Sequence, residues 1–185
     1  MAARYSAPMP LRQPFPNLWL VTDERNDAGL DAALRRLPRG SGLIYRHYHL
    51  PDAERLARFL ELRQIARAHG MVTILADSAL TAAEWGADGI YGAPRALYPR
   101  RAMLRLATAH NLREVGEANR LEADAVLLSP AFATRSHPGA AALGPLRFRL
   151  IAARSRVPVI ALGGMDPHRA ERLGSPFWAA IDGLS

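Results

Sequence analysis

Short apolar runs recur along this chain, each followed by a stretch with helical spacing, and no other feature narrows the fold as much. LWLV at Leu18 to Val21 reads as a buried strand, and NDAGLDAALRRLP after it as a helix stopped at Pro38. GLIYRHY is strand two. The segment PDAERLARFLELRQIARAHG opens on proline and aspartate, carries leucine and phenylalanine at three- and four-residue steps, and ends on glycine. VTILA, DGIY, MLRLAT and DAVLL follow as strands three to six, with helices at SALTAAEWG and NLREVGEANRLE. LRFRLIAARS is a helix, VPVIALGG contains strand seven, HRAERLG is a helix and FWAAI is strand eight.

Strands alternating with helices make a parallel sheet with helical crossovers. At 185 residues and 49% hydrophobic content the chain suits one domain with a substantial core. Eight such steps at this length predict a closed (β/α)₈ TIM barrel, α/β in class, parallel and eight-stranded, without an evident final helix. An open doubly wound sheet is the alternative. The reading assigns residues 1–17 to a proline-rich N-terminal segment and 18–185 to the barrel.

Composition removes several chemistries. There is no cysteine, so disulfides, thiolate metal sites and cysteine nucleophiles are excluded. All 24 basic residues are arginines, which excludes a Schiff-base lysine and a Walker-type phosphate lysine. The net charge of +7 invites a nucleic-acid reading, but the arginines do not form a basic block interleaved with aromatics. Arg55, Arg58, Arg63 and Arg67 lie at helical spacings beside Glu54 and Glu61, as on a solvated helix face. No run approaches the ~18 apolar residues of a membrane span, and the opening prolines do not suit a signal peptide. The expectation is a cytoplasmic protein that binds neither nucleic acid nor membrane, with a homo-oligomer allowed.

In barrels of this kind, the residues just after each strand form the functional rim. The candidates are Asp23, Arg46, Asp77, Tyr91, Thr108, His110, the loop from Ser129 to Gly144, Gly163, Gly164 and Asp182. The loop SPAFATRSHPGAAALG is long for a barrel connection, and its Thr134, Arg135, Ser136 and His137 suit phosphate oxygens. Gly163 and Gly164 allow a turn whose N–H groups approach an anion. Asp77 is either a Mg²⁺ ligand or a helix N-cap, and Asp23 shares the ambiguity. Arg46 in the mouth needs an anionic partner, either a substrate or a rim carboxylate. His47, His49, His110 and His137 show no metal-ligand spacing.

With these residues in view, the chain resembles the thiamine phosphate synthase and TenI family. The resemblance runs through LWLVTD, EWGADGIY, ATAHN, SPAFATRSHPG and VPVIALGGM, in order, over Leu18 to Ser185. It implies a TIM-barrel transferase of thiamine biosynthesis, which joins hydroxymethylpyrimidine pyrophosphate to thiazole phosphate and releases pyrophosphate with Mg²⁺ assistance. It further implies that Arg46 faces pyrophosphate, that Asp77 is a metal ligand, and that Thr108 replaces a pyrophosphate-binding serine. Thr134, Ser136, Gly163 and Gly164 would hold the thiazole phosphate, with Arg135 and His137 adding positive charge. The chain also departs from the family pattern. Ile44 and Tyr48 stand where the family has glutamine and lysine around the strand-two arginine, and Ala76 and Ser78 where it has asparagine and arginine around the aspartate. Ala96 stands for the second metal ligand, His137 for a lysine, Asp182 for a strand-eight serine, and Pro130 for the histidine of the TenI tautomerase. The alternative implied is a TenI-like member that binds thiazole or thiamine phosphates without turnover, in a regulatory or accessory role.

Overall fold

The computed structural model describes residues 15–98, 102–134, 141–182 and 184. Eight parallel strands close into a barrel in sequence order: β1 (Leu18–Val21), β2 (Gly42–Tyr45), β3 (Val72–Leu75), β4 (Gly89–Gly92), β5 (Leu104–Ala109), β6 (Ala125–Leu128), β7 (Val159–Ala161) and β8 (Trp178–Ala180). This is the TIM barrel that the alternation predicts, and the open sheet is ruled out. DGIY and FWAAI, short as they are, take their places as β4 and β8. The ring shuts where β8 pairs with β1 in the register Leu18↔Trp178, Trp19↔Ala179 and Leu20↔Ala180.

Among the described residues, six helices pack outside: α1 (Leu30–Arg36), α2 (Asp52–Ala68), α3 (Ala79–Trp85), α4 (Leu112–Arg120), α5 (Gly144–Ala152) and α6 (Pro167–Leu173). The stretch read as one helix after β1 divides in two. Asp23 caps a 3₁₀ turn, Glu24–Gly29, through a capping box with Asn26, and α1 follows. Between β4 and β5, the described residues form a 3₁₀ turn at Pro94–Leu97. Among the described residues, no helix is long and apolar enough to cross a membrane.

Because side chains alternate along a strand, each strand feeds two cores. Trp19, Val21, Ile44, Ile74, Leu106, Leu127 and Ile160 fill the barrel interior. Leu20, Leu43, Tyr45, Leu75, Val126 and Leu128 point outward and meet Leu34, Phe59, Leu62, Val115 and Phe148 from the helices. Below the interior, the Phe15 ring packs on Trp19 and Phe177, with centroids 5.5 and 5.6 Å away. The Trp19 indole donates to the Pro16 carbonyl at 2.8 Å.

Several arginines work as backbone clamps. Arg63 donates to the Trp85 carbonyl, Arg105 to Leu121 and Glu122, and Arg149 to Leu173 and Arg172. Each ties up carbonyls that a helix leaves unsatisfied at its C-terminal end. The solvated-face expectation for α2 is corrected by the same chemistry. Arg55 is only 6% exposed, and Arg58 bonds to Asp27, Asp31 and Glu61.

Gly42 faces the barrel interior, where the Trp19 ring occupies the space a Cβ would need. We expect Gly42→Ala to force Trp19 from its seat and cost about 1–3 kcal/mol, the usual range for overpacking a core. Thermal unfolding of the variant should show a midpoint several degrees lower.

Candidate functional site

A cavity of about 660 Å³ opens at the C-terminal ends of the strands. Arg46 and Tyr48 enter it from beyond β2, Tyr91 to Ala93 from β4, and Thr108 and His110 from β5. Ser129, Pro130, Ala133 and Thr134 line it from beyond β6, Leu162 to Asp166 and Arg169 from beyond β7, and Ala180 to Asp182 from β8. Of the rim candidates, Arg46, Tyr91, Thr108, His110, Ser129, Thr134, Gly163, Gly164 and Asp182 thus share one cavity. Asp23 and Asp77 do not line it. Arg135, Ser136 and His137 lie outside the described residues.

The Gly163–Gly164 turn is shaped by contact. Both residues have positive φ, 96° and 59°, a region that L side chains enter at a cost. A Cβ on Gly163 would lie 2.8 Å from the Pro130 Cα, and one on Gly164 would run into the Ala133 carbonyl oxygen. The strand pairing continues past the barrel here, Ala131 N–H donating to Leu162 and Phe132 N–H to Gly163. The long loop is thereby fastened to the glycine turn, which puts Thr134 and the two glycines on one wall. Arg169 borders that wall and went unnoticed in the sequence. Its guanidinium donates to the Gly164 carbonyl, sits 3.5 Å from Asp166 and stacks over the Phe132 ring at 5.4 Å. Its sequence signal is weak, one arginine among 24 on a helix of ordinary amphipathic pattern.

On the opposite wall, Arg46 is held at its backbone from both sides. Its N–H donates to the Thr22 hydroxyl at 2.9 Å, and its carbonyl accepts from Arg55 Nε at 2.9 Å. Its guanidinium lies 3.6 Å from Asp23 and 5.8 Å from the Tyr48 ring centre. Asp23 also bonds to Arg25 at 2.7 Å. Burial pushes its carboxyl up, but the Arg25 bonds outweigh this and hold it below the usual carboxylate value. Arg25 reaches Asp182 at 3.6 Å, so the carboxylate in place of a strand-eight serine has a cationic neighbour. Tyr91 is pushed up to about 12 by burial and lines the cavity as a neutral phenol.

Thr22 continues into a buried relay. Its hydroxyl donates to His47 Nδ1 at 2.8 Å, and His47 Nε2–H donates to Asp27 at 2.9 Å. That pattern suits a neutral imidazole, and burial indeed holds His47 below the ordinary histidine value despite Asp27. His110 differs: it is exposed, and its Nδ1–H donates to the Ser129 carbonyl at 2.9 Å, fixing the ring at the mouth.

Asp77, expected as a metal ligand or N-cap, does not cap α3. Ser78 caps α3, while the Asp77 carboxylate accepts from Arg55 at 2.5 Å and from the Ser78 N–H at 2.7 Å. Ala96 lies in the 3₁₀ turn after β4, and Ile44 is sealed in the barrel interior. Among the described residues, no group of three His, Cys, Asp or Glu could hold a metal ion.

A sequence profile described as thiamine monophosphate synthase matches residues 18–176. The thiamine-phosphate synthase of Chloroflexus aurantiacus is 34% identical over 91% of this chain and 82% of its own length. That of Methylococcus capsulatus is 28% identical over 92% of this chain and 84% of its own length. Among solved structures, a thiamine phosphate pyrophosphorylase from Pyrococcus furiosus superposes with a TM-score of 0.74 at 24% identity, covering 89% of this chain and 85% of that one.

The relay gives a pH prediction. Since folding lowers the His47 pKa, the folded state resists a proton that the unfolded chain accepts, so stability is full above the ordinary value of 6.5 and falls as pH drops below it. Melting temperatures measured from pH 8 to 5 should show this decline, and His47→Gln should flatten it.

Proposed function

We propose, from the premise that this chain belongs to the thiamine monophosphate synthase family, that it joins a hydroxymethylpyrimidine pyrophosphate to a thiazole phosphate and releases pyrophosphate. What supports the reading is a cavity that takes in Arg46 from beyond β2, Thr108 from β5, and Thr134, Gly163 and Gly164 from beyond β6 and β7. Two small aromatic substrates, each carrying one anionic group, match polar groups that line different strands of the same space. In this reading the C–O bond between the pyrimidine methylene and the diphosphate breaks, the diphosphate leaves with the electron pair, and the thiazole nitrogen forms the new C–N bond.

Arg46 and Thr108 meet the charge that develops on the departing diphosphate, because donors fixed in advance lose little energy to reorganisation. Thr134, Gly163 and Gly164 hold the thiazole phosphate, with Arg169 as its nearby cation. Ser136 joins Thr134 as a hydroxyl for the thiazole phosphate, and Arg135 and His137 add positive charge. Pro130 favours the synthase branch over the TenI tautomerase, whose histidine it replaces. The cytoplasm follows as the compartment, since phosphorylated intermediates do not cross membranes unaided.

Magnesium enters this reading through the family resemblance, but the protein donors do not fit a resident ion. Mg²⁺ favours six oxygens, usually one or two carboxylates with phosphates and water. Here Asp77 is already paired with Arg55, and position 96 is alanine.

Purified protein with both substrates should form thiamine phosphate, detected as its fluorescent oxidation product, and Arg46→Gln should reduce the rate about 10²-fold. Product at background, while the Chloroflexus aurantiacus synthase works in parallel, would overturn the reading. A ligand-dependent rise in melting temperature without product would point to the accessory role instead. Arg169→Gln should raise KM for the thiazole phosphate about tenfold with little change in kcat, as expected for a lost charged hydrogen bond.

A further inference from the structure

Arg55 lies on α2, outside the barrel, yet its side chain reaches in between the ends of β2 and β3. Its Nε donates to the Arg46 carbonyl at 2.9 Å, Nη2 to the Ala76 carbonyl at 3.0 Å and Nη1 to Asp77 at 2.5 Å. The guanidinium lies 5.5 Å from the Tyr48 ring centre and 5.4 Å from that of Trp85. The Arg55 carbonyl accepts from the buried Tyr45 hydroxyl at 2.9 Å, which ties α2 to β2 at the same point. One planar fork thus joins two strand ends and a carboxylate, a task for which a lysine ammonium lacks the geometry.

We propose that Arg55 stands where a divalent cation would otherwise sit on Asp77, and that it is a positioning residue for Arg46. It neutralises Asp77, fixes the Arg46 peptide at the cavity mouth, and leaves the free protein without a metal site there. An ion seeking Asp77 has to break a close ion pair and strand a buried guanidinium, which is costly. Burial raises the Asp77 carboxyl, but its bonds to Arg55 and Ser78 prevail and keep it below the usual carboxylate value, as a standing ion pair requires. Any Mg²⁺ that takes part then arrives already held by diphosphate oxygens. The positioning half of the proposal rests on the reading of Arg46 as the diphosphate contact, whereas the metal half stands without it.

Two measurements on the full chain test it. Mn²⁺ titrated into free protein and followed by electron paramagnetic resonance should remain unbound through the millimolar range. A complex with free wild-type protein that Asp77→Asn abolishes would overturn the metal half. For positioning, calorimetry with inorganic pyrophosphate should show binding to wild type and about tenfold weaker binding to Arg55→Lys, which keeps the charge but loses the fork. Circular dichroism confirms the variant's fold, and Arg55→Gln serves as a second variant. Unchanged pyrophosphate affinity in a folded variant with a lowered melting temperature would reduce Arg55 to a structural role. If wild type itself fails to bind pyrophosphate, the functional reading and the positioning half fall together, and the Mn²⁺ result still decides the role of Asp77.

Discussion

Closure between β8 and β1 is the constraint on which the rest of this structure depends. A sheet of eight short strands left open would expose two edges and leave its interior side chains half covered. The seam is reinforced where it is needed. The buried Asn26 side chain donates to the Val21 carbonyl at 3.1 Å and the Ile181 carbonyl at 3.0 Å, stitching the ends of β1 and β8 just past their pairing. At the other end, the Trp178 N–H donates to the Asn17 carbonyl at 2.9 Å. Once closed, the ring sets which strand ends face one another, and the cavity follows from that.

The arginine-only basic composition takes on meaning in this frame. A guanidinium can satisfy several carbonyls at once and is easier to desolvate than an ammonium. The chain uses that property repeatedly at helix C-terminal ends, through Arg63, Arg105 and Arg149, and between strand ends through Arg55. The positive charge of these four arginines is therefore part of the framework. The carboxylates near the mouth follow the same rule: Asp23 and Asp182 share Arg25, and Asp77 belongs to Arg55.

The two walls of the cavity are built by different means. The β6–β7 wall is a backbone construction, in which glycines let the loop approach closely enough to continue the sheet. The β2 wall is a side-chain construction. Thr22, His47 and Asp27 support the Arg46 N–H from one side, and Arg55 with Asp77 supports its carbonyl from the other. Arg46 is placed by a polar network, buried at Thr22, His47 and Arg55, whose members all have partners, which is the condition under which such a network rigidifies a site.

The sequence by itself determined the order of elements, the barrel and the family, because strand and helix periodicities are local and the motif order survives substitution. It also brought most of the cavity into view, since the positions after the strands can be counted along the chain. Only tertiary structure decided which partner each charged group meets. Arg55 reads as a solvated helix residue in one dimension, and Asp77 as a ligand or a cap. Their meeting depends on α2 packing against the ends of β2 and β3, across 22 positions of chain. Arg169 was likewise unreadable, because a guanidinium's role is set by the carbonyls and rings around it, and those come from other elements.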